Sequence, residues 1–416
     1  MRVAILTTLS DFNPSYSLTS VVEAQLVSLV KYGYEAVLFV HDNFKGDVPA
    51  GVEVRKTVPR FQLEDYSGHQ QVNADYNRQV QEAYKAFKDG LKDIDVVFTV
   101  DLIFQGWFLP YCEAIHKLAK ETEIKWFHWI HSTPNLMPKG LAYPHTLRYH
   151  LPNNSKLVYL NNQNIIRAAE SYSIFPKDVR IVYNPVDPRL FWNLDPFVKR
   201  MIDSYEILEA DFMQVYPVSS TRMVDGKQVD TVIDIFSKLK AQGNKVCLVI
   251  ANAHANAERE KQTIEALLQR AEEKGLQRTE LVFTSLEEGG KYELGVPRSV
   301  VSQLFQLSNL FIFPTVSENC PLILLEAMLS KTLLVLNEDV PVLKEFARED
   351  ALYFKFGSLD TKTEWSDKER FLNDVAKIIV SEFSTNRALK ASRRIRKQFN
   401  YDILFKQQIE PLLYND

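Results

Sequence analysis

Phe311 to Asn337 reads FIFPTVSENCPLILLEAMLSKTLLVLN. A short apolar run of β type ends at Pro314, a polar loop carries Ser317, Glu318 and Asn319, and an apolar helix-type stretch leads into a second run, LLVLN. Strand, loop, helix and strand in this order form one turn of a parallel α/β sheet. Pro321 falls where the helix begins, a position at which its missing N–H costs nothing. The free amides of the helix's first turn then face outward, and a helix start of this kind attracts phosphate. Glu326 follows on the second turn, within reach of the vicinal hydroxyls of a ribose, and Glu318 lies nearer whatever the phosphate carries. The bland alternative makes Glu318 a solvated loop charge and Glu326 a helix-surface residue.

The same alternation extends in both directions. Strands are expected at 3–8, 35–40, 52–58, 95–100, 124–130 and 156–161, and again at 211–219, 245–252, 279–285, 310–315 and 331–337. Between the first two, residues 18, 21, 22, 26, 29 and 30 form one apolar helical face that stops at Gly33. The segment Asp178–Trp192, with Asn184, Pro185 and Asp187, reads as a hinge. The fold class is therefore α/β, in two similar doubly wound halves: 1–184, then 185–390, with a helical ending at 391–416. In sheets of this class ligands bind beyond the carboxyl ends of the strands, so function is expected in those loops, across a cleft between the halves.

A second strand end, YPVSSTRMVDGKQVDTVIDIF, places Arg222 and Lys227 on either side of a turn at Asp225 and Gly226. Two cations at a helix start oppose its dipole unless an anion joins them. Arginine would clamp phosphate oxygens in bidentate fashion, and lysine would act as a point charge.

Taken together, Glu318-x7-Glu326 in its setting of strand, P-T-x-S-E, P-L and helix resembles the E-x7-E signature of the group 1 retaining glycosyltransferases of GT-B fold. Arg222-x4-Lys227 resembles the element that binds the donor diphosphate in that family, with Thr221 and Gln228 standing where glycine is usual. VYNPVD, Val182 to Asp187, is similar to the family's interdomain linker, and the last helices are similar to those that cross back onto the first domain. The resemblance implies a metal-independent retaining transfer of a sugar from a nucleoside diphosphate to an acceptor hydroxyl, with no cofactor. It assigns donor binding to Arg222, Lys227, Ser317, Asn319, Cys320, Pro321, Leu322 and Glu326. Glu318 would steady the sugar, and closure about 184–187 would exclude water.

The first half matches less. Its opening loop, SDFNPSYSLTS, lacks the glycines common in the family. His131, directly after the strand of WFHWIHSTP, corresponds to a histidine near the reacting sugar in related enzymes, and is assigned with Glu318 to catalysis; a core or capping role is the alternative. His128 is expected to be buried or a neighbour of His131, and Asp101 is a weaker candidate with a helix-capping alternative. Asp93-Ile94-Asp95 resembles the D-x-D metal site of the other major glycosyltransferase fold, but it precedes a strand and reads as a solvated turn. No metal site is expected. The sequence contains no GxSxG, P-loop or intact GxGxxG, which argues against hydrolase, P-loop and dinucleotide oxidoreductase chemistry.

Composition sets the outer bounds. With 416 residues and 46% hydrophobic content the chain can bury two sizeable cores, and a net charge of -4 provides no global attraction for nucleic acid or anionic lipid. Cys112, Cys247 and Cys320 are far apart in sequence, which fits a reducing, cytoplasmic setting. No run is long enough to cross a bilayer. The acceptor stays open: a saccharide, a lipid, a protein, or a hydroxymethylated pyrimidine in DNA, the last because Lys117, Lys120, Lys125, Lys139 and Arg148 scatter charge over the first half. Contact with a membrane surface or nucleic acid would use that half. A non-catalytic nucleotide-sugar binder and a nucleotide-sugar epimerase remain the rival functions.

Overall fold

The computed structural model describes residues 1–13, 16–62, 64, 66, 72–132, 135–359 and 367–415. Pro14 and Ser15 of the opening loop, and Thr133 and Pro134 after His131, lie outside them. Residues 1–186 together with 401–416 make one compact unit, and 187–400 make the other.

The first unit holds seven strands: β1 (Arg2–Leu6), β2 (Glu35–His41), β3 (Glu53–Val58), β4 (Val96–Val100), β5 (Lys125–Ile130), β6 (Ser155–Tyr159) and β7 (Val179–Ile181). They pair in parallel in the order β3-β2-β1-β4-β5-β6-β7. The chain reverses direction of growth at β1/β4, the switch point at which loops part. Along β1, Val3 and Ile5 join one core with Val22, Leu26 and Leu29, while Ala4 and Leu6 join the other with Phe87, Tyr111 and Ile115. Both faces are covered, which is why these strands read as continuous apolar runs rather than alternating ones. Residues 401–416 join the first of these cores through Phe405, Ile409, Leu412 and Leu413. Tyr32 stacks on Phe405 with centroids 4.7 Å apart, and its hydroxyl donates to Asp402 at 2.7 Å. The helix Arg387–Gln398 belongs instead to the second unit, so the return to the first begins at Tyr401.

The second unit contains β8 (Phe212–Ser219), β9 (Val246–Ala253), β10 (Leu281–Phe283), β11 (Leu310–Phe313), β12 (Leu333–Asn337) and β13 (Leu352–Phe354). Two parallel ladders result, β10-β9-β8 and β11-β12-β13. Between β8 and β11 side chains take over most of the pairing, beside one backbone bond from the Asn309 N–H to the Met213 carbonyl at 3.0 Å. The buried Gln214 amide donates to the Ile312 carbonyl at 3.0 Å and accepts from the Ile312 N–H at 2.8 Å, as a peptide group would. Asn309 adds Oδ1 to the Met213 N–H at 2.9 Å, and Ser308 Oγ accepts from the Val215 N–H at 2.9 Å. One core runs beneath both ladders.

Two elements depart from the sequence reading. β10 ends at Phe283, because Thr284 onward winds into a 3-10 turn. β13 was not foreseen: it has three residues, all only half-buried, so it lacks the apolar run that marked the others. Asp187 of the linker caps the short helix that follows, accepting the Arg189 N–H at 2.8 Å. Among the described residues no helix is long and apolar enough to cross a membrane.

Candidate active site

In the second unit, two loops at the carboxyl ends of β8 and β11 are fastened to each other. The turn 222–228 curls on itself through Lys227 N–H to the Arg222 carbonyl (3.0 Å) and Val229 N–H to the Met223 carbonyl (2.9 Å). Gly226 then offers its carbonyl to the Val316 N–H at 3.1 Å and to the Thr315 hydroxyl at 3.2 Å. A Cβ on Gly226 would lie 3.3 Å from Arg222 Nε, so the absent side chain lets the guanidinium fold over the turn. Gln228, where the family has glycine, adopts φ +47°, a conformation that costs a side-chain-bearing residue about 1 kcal/mol. Its amide offsets this by donating to the carbonyls of Pro314 (2.8 Å) and Phe356 (3.2 Å). The left-handed turn survives without glycine because its side chain is anchored across the site.

This fastening brings Lys227 and Glu318 into ion-pair contact, with side chains only 11% and 16% exposed. The ammonium also lies 5.0 Å above the Phe313 ring. Burial first, and the Arg222 guanidinium second, pull the Lys227 ammonium down to about 8. The carboxylate of Glu318 opposes that shift, so the pair is a balance of desolvation against attraction rather than a firm structural bridge. Arg222 itself is exposed and forms no ion pair with a described residue. The loop therefore presents a free guanidinium beside a buried ammonium, and can gather a multiply charged anion.

The helix after this loop starts one residue later than expected. Leu322–Leu329 is helical, Pro321 precedes it as the cap, and the Leu322 N–H is turned back to the Cys320 carbonyl at 3.0 Å. Leu322 thus offers its exposed side chain rather than its amide. Asn319 and Cys320 are exposed, and Ser317 lies half-buried with its carbonyl accepting from the Thr315 hydroxyl at 3.0 Å. Glu326 pairs with Arg298 at 2.7 Å. That arginine is 81% exposed, so the pair is worth at most about 1 kcal/mol and yields readily to another partner.

Sequence reasoning passed over Asn252, the penultimate residue of β9, which is fully buried. Its side chain donates to Ser220 Oγ (3.1 Å) and Ser285 Oγ (2.8 Å) and accepts from the Ser285 N–H (3.1 Å), tying the ends of three strands. The signal was present: an amide closing the apolar run KVCLVIAN.

In the first unit, His131 follows β5 and Asp101 follows β4. Asp101, at φ +56°, accepts the His131 N–H at 2.8 Å, and its other oxygen lies 3.5 Å from His131 Nδ1. It therefore positions the histidine rather than capping a helix. Both ring nitrogens of His131 are buried with no hydrogen-bond partner among the described residues, which leaves the imidazole available. Partial burial, and then the Asp101 carboxylate, raise the Tyr16 phenol above its ordinary value, adding a neighbour that the sequence did not reveal. His128 is a core residue between Thr99 (2.7 Å) and Ser155 (3.1 Å), and burial lowers it to about 3. Asp93 pairs with Arg2 and, at 2.7 Å, with Arg55, while Asp95 accepts the Arg2 N–H at 2.7 Å. Of the cations read as a loose basic face, Arg148 is buried against the carbonyls of Phe104 (2.8 Å) and Tyr66 (3.2 Å), and Lys117 pairs with Glu113 at 2.9 Å. Arg148 is a correction: its burial removes it from any surface.

Residues 209–361 match the family model "Glycosyl transferases group 1", a span that includes Arg222, Lys227, Glu318 and Glu326. No curated protein matches the sequence. Among solved structures, a glycosyltransferase from Rickettsia africae aligns at 11% identity over 100% of this chain and 99% of its own, with a TM-score of 0.35. The UDP-forming α,α-trehalose-phosphate synthase of Burkholderia vietnamiensis aligns at 12% identity over 100% of both chains, TM-score 0.35. HepE of Anabaena in complex with UDP aligns at 14% identity over 99% of both, TM-score 0.33. The matched span lies wholly within the second unit, which is therefore similar over residues 209–361 to the group 1 glycosyl transferases.

Proposed function

We propose that the protein transfers a sugar from a nucleoside diphosphate to an acceptor hydroxyl with retention and without a metal ion. The observation that supports this reading most directly is the juxtaposition of Arg222, Lys227 and Glu318 on two mutually fastened loops. When the glycosidic bond to the diphosphate breaks, charge grows on the leaving oxygen. A guanidinium and an ammonium held in place before the reaction stabilise that charge without reorganising. Glu318, already held by Lys227, is suited to orient the sugar hydroxyls. The departing phosphate oxygen then takes the proton of the acceptor hydroxyl as the new bond forms on the same face. Glu326 would exchange Arg298 for the ribose hydroxyls. His131, steadied by Asp101, would hydrogen-bond the sugar or orient the acceptor.

The decisive experiment incubates the protein with a panel of nucleoside diphosphate sugars, following thermal stabilisation and nucleoside diphosphate release. Stabilisation by one donor together with slow release is expected, since a bound ligand raises stability by mass action. Tight binding with no release under any acceptor would mark a binder instead.

Lys227 also gives a pH signature. A lysine lowered to about 8 is charged below that pH and neutral above it. Donor capture needs the charge, so kcat/KM for the donor should fall as pH rises through about 8, the free-enzyme value that this ratio reports. In Lys227→Arg the descending limb should disappear over the same range, because a guanidinium stays charged. A limb that persists in the variant would assign it to another group.

A further inference from the structure

We propose that the helix Arg387–Gln398 docks the protein on an anionic lipid surface. The helix reads RALKASRRIRKQ, six cations and no acid in twelve residues, within a chain whose net charge is -4. Its two buried side chains fix its rotation. Leu389 enters the core, and Arg396 donates to the carbonyls of Leu307 (2.8 Å) and Ala210 (2.6 Å). Arg393 and Lys397, on the flank, are drawn to Asp211 at 3.7 and 2.6 Å.

The opposite face carries two parallel rows. Arg387, Lys390 and Arg394, at i, i+3 and i+7, are all exposed. Lys390 reaches the Ser384 carbonyl at 2.8 Å, and no carboxylate among the described residues pairs with any of the three. The row runs for about 10 Å along the helix axis and, together with the flanking Arg393, Lys397 and Asp211, lines an open groove of ≈ 510 Å³. Beside it, at the same spacing, lie Ala388, Ala391 and the exposed Ile395.

This second row decides the partner. Cations alone would serve any polyanion, but a nucleic-acid backbone offers nothing to an exposed isoleucine flanked by alanines. A bilayer interface accepts both, with the apolar row at the acyl boundary and the cations among the headgroups. Each basic side chain near an anionic leaflet strengthens partitioning by roughly five-fold.

The test uses the full chain and sedimentation with vesicles of phosphatidylcholine alone or mixed with phosphatidylglycerol. Binding is expected only to the anionic vesicles and should weaken steeply with added salt. Arg387→Glu/Lys390→Glu/Arg394→Glu should lower that partitioning by on the order of 100-fold, with circular dichroism and nucleoside diphosphate release from a soluble donor unchanged. Ile395→Ser, a milder change, should also weaken it and serves as the check if the triple variant folds poorly. Indifference to lipid charge, unaltered partitioning of the variants, or tighter capture by a short duplex DNA than by the vesicles overturns the proposal. The vesicle and DNA readouts do not depend on the identity of the sugar transferred.

Discussion

Arg222→Ala is expected to lower turnover of the donor by about 10²- to 10³-fold, the usual consequence of removing one preorganised donor from a developing oxyanion. The side chain is exposed and forms no ion pair with a described residue, so its loss should leave the melting temperature nearly unchanged. Catalytic damage without structural damage is the informative combination. Lys227→Met should be as harmful to turnover, but it also strands Glu318, whose side chain is only 16% exposed, without its ion-pair partner. A modest loss of stability should accompany that variant. Because both cations address one diphosphate, the double variant should fall well short of the product of the two single effects. Rates of nucleoside diphosphate release, measured beside thermal melts of the four proteins, test this. Wild-type turnover in both single variants would remove the diphosphate from this loop.

Much of this site was legible because its chemistry is local in sequence. The run Phe311–Asn337 carries its own strand, loop and helix, with Glu318 in the loop and Glu326 on the helix. Arg222 and Lys227 were legible for the same reason, as cations flanking a turn. What joins the two segments is not local. The carbonyl of Gly226 binding Val316 and Thr315, and the Gln228 amide spanning to Pro314 and Phe356, are contacts across roughly ninety or more positions that no periodicity reveals. The offset of the helix start has a local cause that composition hides: Pro321 fits both as first helical residue and as the cap before it. Arg148 illustrates the opposite failure. An arginine counts as surface charge on average, yet here its fork satisfies two buried carbonyls.

Gln214→Leu should destabilise the second unit by about 3–5 kcal/mol, since a buried peptide group left unpaired costs about 1–3 kcal/mol and this change strands two. The Gln214 amide is the hydrogen-bond partner of both the N–H and the carbonyl of Ile312, at a place where the two three-stranded ladders do not pair by backbone. Leucine matches the volume closely, so the cost comes from polarity rather than from a cavity. Gln214→Glu sharpens the argument. A carboxylate still accepts the Ile312 N–H but faces its carbonyl with no proton to offer, and carries a charge into a fully buried site. It should therefore be at least as damaging as leucine near neutral pH and partly recover in acid, where the protonated form again donates. A domain of this size loses roughly 2–4 °C per kcal/mol, so the leucine variant should melt about 10 °C lower. Amide exchange at Ile312 should accelerate ahead of exchange in β9, because the seam opens before the ladders on either side. A shift below about 1 kcal/mol would mean that Ile312 finds other partners and that the sheet is held together by its core alone.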